Sequence, residues 1–120
     1  MKNWVLLEHK VYSANSLDIH YDFLVENGMD CLTWKFLKLP LLNHASIEIF
    51  KQPNHRLLWL SRKEHELSGN RGFVKRIDHG IFKDDSDKLK SGCFRFILDG
   101  EILRGLFEIS GNSCKLSKNN

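Results

Sequence analysis

The residues best suited to chemistry in this chain are His20 and Asp22, within His20-Tyr21-Asp22-Phe23, with His9 upstream. In an extended segment successive side chains point to opposite faces, so His20 and Asp22 project together while Tyr21, Phe23 and Val25 project the other way. One strand then carries a core face and a face able to hold a metal. Two imidazoles and one carboxylate on rigid backbone suit a divalent transition ion that keeps positions open for water and substrate. A single histidine serves equally well as a surface or hydrogen-bonded core residue, so His-x-Asp alone does not specify a ligand pair.

Elements that could position these residues are short and strand-like. Trp4 to Leu7, Ile19 to Val25 and Cys31 to Phe36 form apolar or alternating runs, the last two separated by a turn at Glu26-Asn27-Gly28. Further strands are predicted at Ser46 to Phe50, Arg56 to Leu60, Gly72 to Asp78, Cys93 to Leu98 and Leu103 to Ile109, with a tight turn at Asp99-Gly100. Pro40 interrupts the leucine-rich stretch from Leu37 to Ala45, and Ser68 to Gly72 and Lys83 to Gly92 read as loops. No amphipathic helix of three turns stands out. The expectation is a mainly β chain: a compact antiparallel β-barrel, or a sandwich, with short loops and little helix. At 120 residues it should form a single domain over 1–120, with a polar tail from about 110 to 120.

Composition narrows the setting. No apolar run reaches membrane-spanning length, and Trp4 to Leu7 is too short for a secretory signal, so a cytoplasmic chain without a membrane partner is expected. Cys31, Cys93 and Cys114 are odd in number and widely spaced, as ordinary reduced thiols would be. The net charge is +3, with basic residues recurring in the second half among Asp84, Asp85 and Asp87. That distribution is compatible with a polyanionic partner but does not demand one.

Read in order, Leu7-Glu8-His9, His20-Tyr21-Asp22-Phe23, Leu32-Thr33-Trp34, Asn54-His55-Arg56-Leu57, Ser68-Gly69-Asn70-Arg71-Gly72, Asp78-His79-Gly80 and Asp99-Gly100-Glu101 form an ordered series. This series resembles the 3′-phosphoesterase domain of bacterial ligase D, and its stand-alone relatives more closely, from about Trp4 to Ile109. The resemblance implies a compact β-barrel that trims the 3′ ends of DNA or RNA, removing a terminal ribonucleoside and then the 3′-phosphate. It further implies manganese, or another divalent transition metal, held by His9, His20 and Asp22, and DNA-repair ligase or polymerase proteins as partners. His55 maps to the histidine at the phosphate, and Trp59 to a position where tyrosine is usual. His20, Asp22 and His55 would then be the catalytic set.

Several positions depart from that pattern. The stretch from Val11 to Asp18 is longer than the family spacing, so His9 reaches the site only if this insertion loops out. Leu24 and Ile47 stand where phosphate-binding arginines are expected, and neither side chain can replace a guanidinium fork. Phosphate would fall to other cations: Arg71 and Arg56 first, with Lys35 and Lys38 also available. Glu64 and Glu66 are candidate general bases or supports for the metal ligands. Two other readings remain open: a module that binds nucleic-acid ends without turnover, and an iron-dependent oxygenase in which His20-x-Asp22 is completed by a distant His65 or His79.

Overall fold

The computed structural model describes residues 2–67 and 72–119, so Arg71 and most of the Ser68 to Gly72 loop lie outside the described residues. Nine strands follow in order: β1 (Lys2–Ser13), β2 (Ser16–Asn27), β3 (Asp30–Phe36), β4 (Ile47–Arg56), β5 (Glu64–Leu67), β6 (Gly72–Asp84), β7 (Cys93–Asp99), β8 (Arg104–Ser110) and β9 (Ser113–Ser117). All pairings are antiparallel. Hydrogen bonding runs through β1-β2-β3-β4-β9-β8-β7-β6 and returns to β1, giving a ring-like sheet with β5 added beside β6. The mainly β architecture with short connections and almost no helix agrees with the sequence. No helix among the described residues is long and apolar enough to cross a membrane.

Alternation sets the two faces. Trp4, Leu6, Phe23, Val25, Trp34, Phe36, Phe96 and Phe107 point inward to the main core. Phe23 lies at its centre, with five aromatic rings at centroid distances from 5.0 to 6.3 Å, separations at which ring pairs attract. The opposite set, Val5, Leu7, Leu24, Cys31 and Val74, forms a second apolar cluster on the outer face, covered by Trp59, Leu60 and Leu67.

That cover corrects one sequence expectation. Arg56 to Leu60 is not a strand: Leu57–Leu60 forms a 3-10 turn. Arg56 pairs with Asp30, the first residue of β3, so beyond it the chain has no strand to pair with. Consecutive apolar residues gain more by folding back over the outer cluster than by continuing as an unpaired edge. A second correction falls on the polar tail expected from 110 to 120. Ser113–Ser117 is β9, which joins β8 to β4 and closes the ring, with Cys114 and Leu116 each only 2 % exposed. Two inward residues in a five-residue strand leave too little apolar signal to stand out from their polar neighbours.

Two motifs distant in sequence meet at Asp78. This buried carboxylate accepts backbone N–H bonds from His79 and Glu101, both 3.0 Å, and from Ile102 and Leu103, both 2.8 Å. It thereby fastens the β7–β8 turn to β6. A side chain at Gly100 would collide with Asp78 and the Trp4 indole, which explains the glycine in that turn. Asp78-His79-Gly80 and Asp99-Gly100 therefore act in the architecture.

Candidate metal centre

Residues directly opposite in an antiparallel pair share a face. His9 is the register partner of His20, and Leu7 of Asp22, so His9, His20 and Asp22 all stand on the outer face beside Leu7 and Leu24. The Val11 to Asp18 stretch does not displace them. It lengthens β1 and β2 equally, from Val11↔Asp18 to Ser13↔Ser16, and turns at Ala14 and Asn15. Residues added symmetrically to a hairpin preserve the register below them.

His9 Nδ1 lies 3.1 Å from His20 Nε2, and His20 Nε2 lies 3.6 Å from Asp22 Oδ1. One ligand atom from each residue can be chosen so that all three fall within 4.8 Å of one another. Two donors bonded to one ion at about 2.1 Å can be no more than about 4.2 Å apart, which both measured separations satisfy. The side chains of His20 and Asp22 are largely covered yet accessible, at 21 % and 13 % exposure. The arrangement could hold a divalent ion, with two imidazole nitrogens and a carboxylate oxygen close to one another.

A small cleft of about 90 Å³ opens beside the cluster, lined by Leu7, His9, Asp22, His55, Trp59, Leu67 and Val74. Four of the residues expected at the site thus border one space, and His20 adjoins it through His9. His55 arrives through a bulge. Thr33 pairs with Gln52 but Cys31 pairs with His55, so β4 spends one more residue than β3 between those pairs, around Pro53 and Asn54. Regular alternation would turn His55 toward the core; the extra residue turns it to the outer face, opposite Cys31. Its Nδ1 lies 3.1 Å from the Pro53 carbonyl oxygen, which only accepts, so Nδ1 carries the proton and Nε2 remains for exchange. The 3-10 turn then carries Trp59 over the same cleft.

Other expected positions distribute differently. Lys35 is the register partner of Asp22 on β3 and so shares its face. Arg56 is exposed and does not line the cleft, and Lys38 borders a separate depression near Ile47. Glu64 lines a larger cleft of about 560 Å³ with Lys63, Lys75 and Arg76, while Glu66 is exposed. That larger cleft contains no triad of potential metal ligands among the described residues. Leu24 is fully buried in the outer cluster, and Ile47 packs against the main core. Neither His65 nor His79 joins the His9–His20–Asp22 group.

The sequence reading missed Arg62 and His65 as a unit. Arg62 Nη1 donates to His65 Nδ1 at 2.7 Å, its guanidinium lies 5.6 Å from the Trp59 ring centroid, and His65 meets that ring edge-on at 5.7 Å. The alternation in Glu64-His65-Glu66-Leu67 was the available signal, because it puts His65 and Leu67 on one face of β5.

No family model matches the chain, and no curated protein matches its sequence.

Proposed function

We propose that the chain is a metal-dependent phosphoesterase that processes nucleic-acid 3′ ends, removing a 3′-phosphate or a 3′-terminal ribonucleotide. The observation that carries this reading is one outer-face cleft bordered by His9, Asp22, His55 and Trp59, with His20 completing the ligand group. His9, His20 and Asp22 would hold manganese or a related divalent ion. Such an ion supplies Lewis-acid polarisation of a phosphoryl oxygen and a means of activating water. His55, with Nδ1 engaged by Pro53, exchanges a proton through Nε2: it donates to a phosphoryl or leaving oxygen when protonated. Trp59 offers an aromatic face to a terminal base or sugar. Lys35, beside Asp22 in register, supplies positive charge where the expected arginine at Leu24 is missing. Three free cysteines suit a reducing, cytoplasmic setting.

A second reading, end binding without turnover, is favoured by the burial of Leu24 and the packing of Ile47, which remove both expected phosphate forks. One assay separates the readings. Oligonucleotides ending in a 3′-phosphate or a single 3′-ribonucleotide are incubated with manganese and wild type, His20→Ala or Asp22→Ala. Hydrolysis by wild type alone supports the enzyme; binding without hydrolysis by folded wild type supports the end-binding module.

A further inference from the structure

Four strands place a continuous row on the outer face. His20 pairs with His9, His9 with Val74, and Val74 with His65. His65 is therefore two strand spacings from His9, on the order of 10 Å across the sheet. At that end of the row stands Arg62, fixed by its bond to His65 and laid over Trp59, which itself borders the small cleft.

Arg62 is prepared for an anion. Arginine has five N–H donors and no acceptor, so bonding to His65 leaves most of its donors available and makes His65 Nδ1 the acceptor. No carboxylate among the described residues pairs with Arg62. Its guanidinium is held by an aromatic face and a neutral ring, contacts that restrict it without neutralising its charge. With a phosphoryl group held at the His9–His20–Asp22 cluster, the two strand spacings to His65 leave Arg62 available to a second phosphate.

We propose that Arg62, positioned by His65 and Trp59, binds the internucleotide phosphodiester adjoining the 3′-terminal group, so that recognition extends inward from the end. This rests on the nucleic-acid end-processing reading. It makes an oligonucleotide a better ligand than a mononucleotide carrying the same 3′-phosphate, with Trp59 between the two phosphate positions as a stacking surface.

The test compares a 3′-phosphorylated tetranucleotide with a nucleoside 3′-monophosphate, each competing with a labelled oligonucleotide for the full chain in the presence of manganese. Wild type should bind the tetranucleotide about tenfold more tightly, the scale of one charge-assisted contact. In Arg62→Ala that preference should fall to near unity. Arg62→Lys, which keeps the charge but loses the planar fork, should retain only part of it. Thermal melting checks that each variant is folded, and Arg62→Lys reads the same ratio if Arg62→Ala does not fold. A ratio unchanged in the variants, an equal loss for both ligands, or no preference in wild type overturns the proposal. Turnover is scored separately. A wild type with the preference but no hydrolysis keeps the Arg62 contact and removes the hydrolase, whereas hydrolysis without the preference removes only the contact.

Discussion

His9 and His20 stand directly opposite one another on β1 and β2, with Nδ1 and Nε2 3.1 Å apart and the rings edge to face at a centroid distance of 4.5 Å. Two imidazoles this close share either a proton or an ion. Asp22, on the same face of β2, adds a carboxylate oxygen 3.6 Å from His20 Nε2 as a third donor for such an ion.

Manganese should therefore stabilise the fold. At a concentration about 100 times its dissociation constant, a ligand that binds only the native state contributes about 2.7 kcal/mol, on the order of 10 °C in Tm for a domain of this size. Thermal melts with and without manganese should show that rise in wild type and little of it in His20→Ala or Asp22→Ala. An unchanged wild-type Tm at millimolar manganese, or a full shift in both variants, would remove the metal centre.

Leu24 makes a contrary prediction about introducing an arginine. The side chain is fully buried with Val5, Leu7, Cys31 and Val74 beneath Trp59 and Leu60. Leu24→Arg would force a charge and a longer side chain into that fully buried apolar cluster, so it should destabilise the protein by about 3–5 kcal/mol. Leu24→Met, which keeps the volume, should cost less than about 1.5 kcal/mol. Urea unfolding measures both. A stable Leu24→Arg protein with improved phosphate binding would mean that this position opens to the cleft.

The sequence revealed the strand faces more readily than their closure. Phe23 and Val25 against His20 and Asp22 is a period-two pattern, and period two assigns faces without long-range information. His55 was legible only through a resemblance, because its face depends on an extra residue in β4 that appears only when β4 is paired with β3. β9 escaped notice because Cys114 and Leu116 alone carry its inward face. Arg62 was hidden for a similar reason: its importance comes from His65, whose place is fixed by pairing with Val74.

Two thiols give the stability a defined alkaline limb. Burial, reinforced by Asp30 and Glu26, pushes Cys31 up to about 11, and burial alone pushes Cys114 to about 12, from an ordinary 9.0. Above pH 9.0 the unfolded chain releases these protons while the folded chain retains them, so stability present below that pH is lost as it rises toward about 12. Urea midpoints at pH 8 and 10.5 should fall less in Cys31→Ala/Cys114→Ala than in wild type, a comparison that cancels much of the lysine and tyrosine contribution. Equal falls would show that the thiols do not set this limb. The same burial predicts slow alkylation of both thiols in the folded chain at neutral pH, since the thiolate is the reactive form.

His55 offers the sharpest separation between holding an ion and using it. The β4 bulge brings it to the cleft, but it does not belong to the His9–His20–Asp22 group. Its ring is oriented by the Pro53 carbonyl, leaving Nε2 as the atom for proton transfer. Replacing it should remove proton donation without removing a metal ligand. His55→Ala is expected to retain the manganese-induced rise in Tm while losing about 10²- to 10⁴-fold in 3′-phosphate hydrolysis, the usual contribution of a positioned acid or base. His55→Gln, which can still hydrogen-bond but cannot deliver a proton at neutral pH, should resemble His55→Ala in turnover. If His55→Gln retained wild-type turnover, His55 would serve as a hydrogen-bond donor to phosphate; if His55→Ala lost the manganese shift, it would be a fourth ligand.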